Sequence, residues 1–226
     1  MIPSTANLPS ARAWERLAGL VPRRLRVLLA VLLTAGLVAL GIGQLPQRTR
    51  VAFAAEVGAR LASSPVLAIG DSIAYQAAPR TLCGEEVLNA AVPGDRISDL
   101  LERAPALAAH LKPARVVVAV GVNDSALPHP SIADWKASYR ALLGALAGAE
   151  LVLVEINPVD ASRSPYVERL DAGFIAEQNA AIRELAAETG AVVVPAPRAA
   201  ATNDGLHPTR AGAVLWRARL SAAACR

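Results

Sequence analysis

The sequence predicts a three-layer α/β/α sandwich built on a five-stranded, mainly parallel β-sheet and preceded by an N-terminal transmembrane helix. Short runs of β-branched and aliphatic residues alternate with longer stretches of helical periodicity. Runs such as VVVAV (116–120) and AVVVP (191–195) are apolar almost throughout, as expected of parallel strands that are covered on both faces. An uncharged run near the N-terminus predicts the membrane helix.

The N-terminal run, Val27–Gly43, is about 17 residues long, close to the minimum that spans a bilayer. Leu25 extends it, and Arg26 can reach toward the lipid head groups. Because the arginines lie before the run, the positive-inside rule leaves the N-terminus in the cytoplasm. The predicted organisation is a cytoplasmic basic N-terminus (1–24), a transmembrane signal anchor (25–43), a juxtamembrane spacer (44–64) and a folded domain (65–226).

Two other interpretations of this run stay open. A signal peptide could be cleaved after Ala52-Phe53-Ala54, which has the small-x-small form. The run could also be a buried helix of a soluble protein. A signal anchor and a cleaved signal peptide both place the domain outside the cytoplasm. The domain is membrane-anchored in the first case and secreted in the second.

The net charge of +4 is unevenly distributed. Residues 1–65 hold eight of the 23 basic and two of the 19 acidic residues, a local charge of +6 that leaves −2 for the rest. The folded domain is therefore not basic, which argues against nucleic acid as a partner.

The chain has two cysteines, Cys83 and Cys225. In an exported domain they could form a disulfide that ties the C-terminus to the region after the first helix; two buried free thiols are the alternative. No cluster has metal-ligand spacing, so no metal is expected. His129 lies either at the mouth of the site described below or in a solvent-exposed loop.

Five strands are predicted, at Val66–Gly70, Val87–Ala91, Arg115–Gly121, Leu151–Ile156 and Ala191–Pro195. Four helices are predicted between and after them: one capped by Asp95 and broken or kinked at Pro105, then Ile132–Leu146, Phe174–Thr189 and Thr209–Leu220.

Polar residues follow the predicted strands in four loops: Gly70-Asp71-Ser72, the Gly94 turn, Gly121–Asp124, and Asp204–His207. Taken singly, each has an ordinary explanation, since Ser, Asn and Asp favour caps and turns. The last loop is more specific. A carboxylate three residues before a histidine can orient the imidazole and leave its second nitrogen for a serine proton.

Together the GDS, Gly94, GxND and DxxH motifs resemble those of the SGNH/GDSL hydrolase family, in the family's order and over about residues 65–222. The resemblance implies a flavodoxin-like fold with Ser72 as nucleophile, His207 as general base and acid, and Asp204 as its orienting group. It assigns the oxyanion hole to the backbone N–H groups of Ser72 and Gly94 and to the side chain of Asn123. Asp71 and Asp124 support the loops.

The expected activity is hydrolysis of carboxylic esters through an acyl-serine intermediate, with no cofactor. The expected substrate is an O-acyl group, such as acetyl, on an envelope glycan or an exported small molecule, with a lipid ester as the next choice. Two alternatives stay open: an acyltransferase that uses the same triad to acylate a glycan hydroxyl, and a non-catalytic glycan-binding module.

Overall fold

The computed structural model describes residues 22–61 and 66–225, in two compact units, Met1–Pro46 and Gln47–Arg226. The predicted cytoplasmic N-terminus, residues 1–24, lies outside the described residues except at its end.

The first unit contains helix α1, Arg23–Gly43, whose residues are exposed almost throughout. Its 21 residues correspond to about 30 Å, the thickness of a bilayer's hydrocarbon core. Within the described part of the chain it is the one helix long and apolar enough to cross a membrane. Anchoring and orientation remain predictions.

The second unit contains a six-stranded sheet with the strand order β2-β3-β1-β4-β5-β6. The strands are β1 (Val66–Gly70), β2 (Thr81–Leu82), β3 (Glu85–Asn89), β4 (Arg115–Ala119), β5 (Glu150–Val154) and β6 (Val192–Val194). All neighbouring strands are parallel except β2 and β3. Each predicted strand is therefore present, and β1 has the predicted bounds.

The predicted number of five strands is wrong, because β2 adds a sixth. It is only two residues long and pairs antiparallel with β3 across a turn at Cys83 and Gly84, both with positive φ. A strand this short shows no periodicity in the sequence. The sheet is therefore mixed, with five parallel strands and one antiparallel edge strand.

The described part of this unit also contains six α-helices: α2 (Gln47–Leu61), α3 (Ser72–Ala77), α4 (Ile97–Leu111), α5 (Ile132–Ala145), α6 (Ala172–Thr189) and α7 (Arg210–Ala224). They pack in two groups, with α2, α4, α5 and α6 in contact in succession and α3 in contact with α7. Every residue of β1 is buried, so the sheet's centre is covered on both faces. The core is mainly aliphatic, with Trp135 and Tyr139 its largest fully buried side chains.

Helix α4 differs from its prediction at the N-cap, and Pro105 does not break it. Its N-cap is Arg96, whose N–H donates to the Asp99 carboxylate at 2.8 Å, while Asp95 forms ion pairs instead. Pro105 does not end the helix, which continues to Leu111. The helix buries Leu107, beyond Pro105, in the core. Core packing of this kind can outweigh the local cost of a proline.

Cys83 and Cys225 form a disulfide with a Cα–Cα distance of 5.2 Å. It joins the turn between β2 and β3 to the residue that follows α7. The bond closes a loop of 142 residues, which restricts the unfolded chain.

The stretch predicted as a spacer contains α2, which buries Ala55 and Ala59. At the start of α2, Arg48 Nη2 lies 2.9 Å from Asp95 Oδ1, and Arg103 Nη2 lies 2.7 Å from Asp95 Oδ2. The Asp95 side chain is only 2% exposed, so these two arginines balance a buried charge.

We expect Arg48→Gln to lower the free energy of unfolding by about 1 kcal/mol, because half of the arginine side chain is exposed and Arg103 still pairs with Asp95. The matched control is Arg50→Gln, an exposed arginine of the same helix with no ion pair in the described ranges. Thermal unfolding of the full chain in mild detergent measures both. An equal effect of the two substitutions would contradict the stabilising role of Arg48.

Candidate active site

The sheet topology brings the four polar loops to one edge. Strands β3 and β4 flank β1, and their carboxyl ends lead to the loops that contain Gly94, Asn123 and Ser72. Adjacent parallel strands place such loops side by side. The loop between β6 and α7 reaches the same place, because His207 contacts Ser72.

Ser72 lies at the first position of α3, directly after β1. Gly70 comes so close to β4 that a Cβ atom on it would lie 2.1 Å from the carbonyl oxygen of Ala119. Only glycine fits there. Asp71 then caps α3, since its carboxylate accepts the N–H of Ile73 at 2.9 Å. The strand, the tight turn and the cap together fix the position of Ser72.

A chain of hydrogen bonds links Ser72, His207 and Asp204. His207 Nε2 lies 2.9 Å from Ser72 Oγ, and His207 Nδ1 lies 2.7 Å from Asp204 Oδ2. Asp204 Oδ1 also accepts the backbone N–H groups of Leu206 at 3.0 Å and His207 at 2.7 Å. With a proton on Nδ1, Nε2 is left to accept the Ser72 hydroxyl.

The Asp204 carboxylate remains ionised. Partial burial opposes the charge, but hydrogen bonds from the His207 side chain and from two backbone N–H groups lower the pKa of Asp204 to about 2. A negative charge beside Nδ1 can stabilise a protonated imidazole.

Asn123 lies in a 3-10 turn, Val122–Ser125, after β4 and is buried. Its Nδ2 donates to the carbonyl oxygen of Asp95 at 2.9 Å, and its Oδ1 accepts the hydroxyl of Tyr166 at 3.0 Å. An amide nitrogen has two hydrogens, so one remains for a ligand.

Gly94 lies in the turn after β3 with a φ of +84°. This turn is attached to the Gly70-Asp71-Ser72 turn, because the N–H of Val92 donates to the carbonyl oxygen of Gly70 at 2.9 Å. The N–H of Asp95 donates to the carbonyl oxygen of Val92 at 3.1 Å, which closes the turn. Gly94 is exposed, so a ligand can reach its backbone.

The two carboxylates that were predicted to support the loops, Asp71 and Asp124, are buried. Asp124 accepts the N–H of Ile97, at 3.2 and 3.3 Å from its two oxygens, at the start of α4. Burial raises the pKa of Asp124 to about 6. Burial, and in smaller part the nearby charge of Asp124, raises the pKa of Asp71 to about 7. Both side chains hold helix N-termini in place.

His129 takes part neither in the hydrogen-bond chain of Ser72, His207 and Asp204 nor in the contacts of the two buried carboxylates. Its ring stacks on Phe174 at 4.0 Å between centroids, and its Nε2 lies 3.2 Å from Asp171 Oδ2. Asp171 in turn caps α6. These contacts give His129 a structural role at the start of that helix. In the described ranges, 22–61 and 66–225, His, Cys, Asp and Glu form no group of three or more that could hold a metal ion.

A family model described as the GDSL-like Lipase/Acylhydrolase family matches residues 68–215. The match covers most of the chain and all four loops. The chain belongs to this family. As a member of this family, the chain is an ester-hydrolysing enzyme. The family that its sequence motifs predicted is therefore confirmed.

Solved structures of esterases share the fold. A lipase/acylhydrolase from Enterococcus faecalis superposes with a TM-score of 0.60 at 22% identity, covering 70% of this chain and 93% of that one. A variant of an acetyl xylan esterase from Geobacillus stearothermophilus gives 0.55 at 20% identity, covering 69% and 93%. The acetyl xylan esterase AlAXEase gives 0.59 at 18%, covering 70% and 98%. No curated protein matches this GDSL-like enzyme in sequence.

The raised pKa of Asp71 predicts a pH-dependent stability. The folded protein keeps the Asp71 proton up to about pH 7, whereas the unfolded chain releases it near pH 4. Between these values the folded state binds more protons, so this group lowers the free energy of unfolding as pH rises. Asp71→Asn has no such titration, so its free energy of unfolding does not fall with pH for this reason. The free energy of unfolding of Asp71→Asn minus that of the wild type should therefore increase on the order of 2 kcal/mol from pH 5 to pH 8.

Urea unfolding of the full chain at the two pH values tests this expectation. Glu188→Gln is the control, because its hydrogen bond with Arg140 lowers the pKa of Glu188 at the surface. That carboxylate is ionised in the folded and unfolded states from pH 5 to pH 8, apart from a small protonated fraction in the unfolded chain near pH 5. The difference in free energy of unfolding between Glu188→Gln and the wild type should therefore stay nearly constant. A constant difference for Asp71→Asn as well would show that Asp71 is charged in the folded protein.

Proposed function

We propose that this enzyme is a serine esterase that hydrolyses O-acyl esters, acetyl esters among them, through an acyl intermediate on Ser72. The observation that supports this most strongly is the continuous hydrogen-bond chain from Asp204 through His207 to Ser72, with links of 2.7 and 2.9 Å. A serine hydroxyl is a weak nucleophile until an adjacent base accepts its proton. His207 Nε2 is such a base, within hydrogen-bond distance.

In the first half of the reaction, Ser72 Oγ attacks the ester carbonyl carbon while His207 Nε2 takes its proton. The carbonyl oxygen becomes an anion, which the N–H groups of Ser72 and Gly94 and the free N–H of Asn123 Nδ2 stabilise. His207 then donates the proton to the leaving alcohol, and an acyl-serine ester remains.

In the second half, a water molecule attacks the acyl carbonyl carbon while His207 accepts one of its protons. The same donors stabilise the second oxyanion. The proton returns to Ser72 Oγ as the carboxylic acid leaves, so the enzyme is regenerated. Asp204 balances the imidazolium charge in both halves.

Two considerations support an O-acyl group on an envelope glycan or an exported small molecule as the substrate. Acetyl xylan esterases share this fold at 18–20% identity. The proposed location also favours a substrate outside the cytoplasm. Helix α1 has the length and apolarity of a membrane anchor, and a Cys83–Cys225 disulfide is typical of an oxidising compartment.

We expect the full chain in mild detergent to release p-nitrophenol from acetyl and octanoyl esters. Ser72→Ala should lower kcat at least about 1,000-fold, because no other group replaces the nucleophile. The exposed serine of α4 gives a matched control, since Ser98→Ala should leave the rate unchanged. The ratio of the two rates distinguishes a preference for acetyl from a preference for long acyl chains.

Labelling by a fluorophosphonate provides an independent measurement. Labelling of Ser72 without ester turnover would identify a reactive serine and favour transfer to a glycan hydroxyl over hydrolysis. Full activity in Ser72→Ala, or the absence of both labelling and turnover in the wild type, would contradict the proposed mechanism.

A further inference from the structure

Tyr166 contacts the candidate oxyanion hole from outside the four motifs. Its hydroxyl donates to Asn123 Oδ1 at 3.0 Å, on the side chain whose Nδ2 donates to Asp95 O at 2.9 Å. Both ends of the Asn123 amide are therefore occupied, by two partners from different loops. Asp95 O can only accept a hydrogen bond, and the tyrosine O–H can donate one, so only one orientation of the amide satisfies both.

We propose that Tyr166 is a positioning residue of the oxyanion hole, whose hydroxyl holds the Asn123 amide with its free N–H directed at the reacting carbonyl oxygen. This inference rests on the proposed function. A half-turn of the amide about its last side-chain bond would exchange Nδ2 for Oδ1 and present a partial negative charge to the oxyanion. A donor fixed in advance avoids the cost of reorientation during the reaction.

The hydroxyl of Tyr166 remains a donor over the working pH range. Partial burial and the nearby carboxylate of Asp71 raise the pKa of Tyr166 above its ordinary value of about 10. The group is therefore neutral near pH 7. Its hydrogen bond also draws electron density toward Oδ1, which makes the remaining N–H of Asn123 a better donor.

A strap, defined as residues 160–171, holds Tyr166 in place. At its start, the N–H of Asp160 donates to the carbonyl oxygen of Gly205 at 2.9 Å, in the loop that contains His207. At its end, the N–H of Asp171 donates to the carbonyl oxygen of Ser125 at 2.9 Å, two residues after Asn123. The strap therefore joins the loop of the general base to the loop of the oxyanion hole.

The first attachment is specific to glycine. A Cβ atom on Gly205 would lie 2.2 Å from the carbonyl oxygen of Asp160, and its φ is +88°. The backbones of the strap and the DxxH loop can approach this closely only because Gly205 lies between Asp204 and His207. One segment thus contacts both parts of the candidate site.

We expect Tyr166→Phe to lower kcat about 3- to 10-fold, as loss of one positioning hydrogen bond predicts. KM should stay within about two-fold and the melting temperature should not change, because the ring and its packing remain. Ser162→Ala is the matched control in the strap. It removes a hydroxyl that hydrogen-bonds only to Asp160 among the described residues, and it should leave kcat unchanged.

A double-mutant cycle with Asn123→Ala tests whether Tyr166 affects kcat through the Asn123 side chain. Asn123→Ala should lower kcat about 100- to 1,000-fold by removing an oxyanion donor. In that background, Tyr166→Phe should cause no further loss, since the amide that it positions is absent. An equal loss in both backgrounds, or unchanged kcat in Tyr166→Phe alone, would overturn the inference while the esterase function stands. A wild-type chain without turnover or fluorophosphonate labelling would overturn both.

Discussion

The hydrogen bond between His207 Nε2 and Ser72 Oγ joins residues 135 positions apart, and the rest of the site depends on it. Ser72 follows β1, with Asp71 between them, whereas His207 follows β6, which lies beyond β4 and β5 in the sheet. The last loop must therefore return across the sheet edge. Two contacts bring it back: α7 packs on α3, the helix that Ser72 begins, and the strap binds Gly205.

Buried polar groups hold the loops around this bond, together with buried apolar residues such as Val92, Val122 and Leu206. Asp71 and Asp124 hold helix N-termini, and Asp95 is paired with Arg48 and Arg103. Buried carboxylates lower stability unless they are hydrogen-bonded or paired. Here each carboxylate fixes the backbone within a few residues of a proposed catalytic group. These hydrogen bonds and ion pairs offset the cost of burying the carboxylates and fix the geometry of the loops, in part through Arg48 on a helix that precedes the sheet.

The sequence predicts much of this structure, because most of the parallel strands contain a continuous apolar run and the motifs follow them in order. It does not predict β2, which is too short for periodicity, or the ion pairs of Asp95, whose partners are distant in sequence. Pro105 does not break α4, since core packing beyond it, at Leu107, can outweigh its local preference. Tyr166 lies in an irregular segment without a motif, and only its hydroxyl's contact with Asn123 reveals it. A loop's own sequence does not specify such long-range polar contacts.

Trapping the acyl-enzyme tests directly whether Ser72 is the nucleophile. The full chain is mixed with p-nitrophenyl acetate, quenched in acid within the first turnovers, digested and analysed by mass spectrometry. We expect an acetyl group on Ser72 that accumulates before steady state and disappears as substrate is exhausted. Turnover that proceeds with no acyl group on Ser72, or with one on another residue, would contradict the assignment of Ser72 as nucleophile.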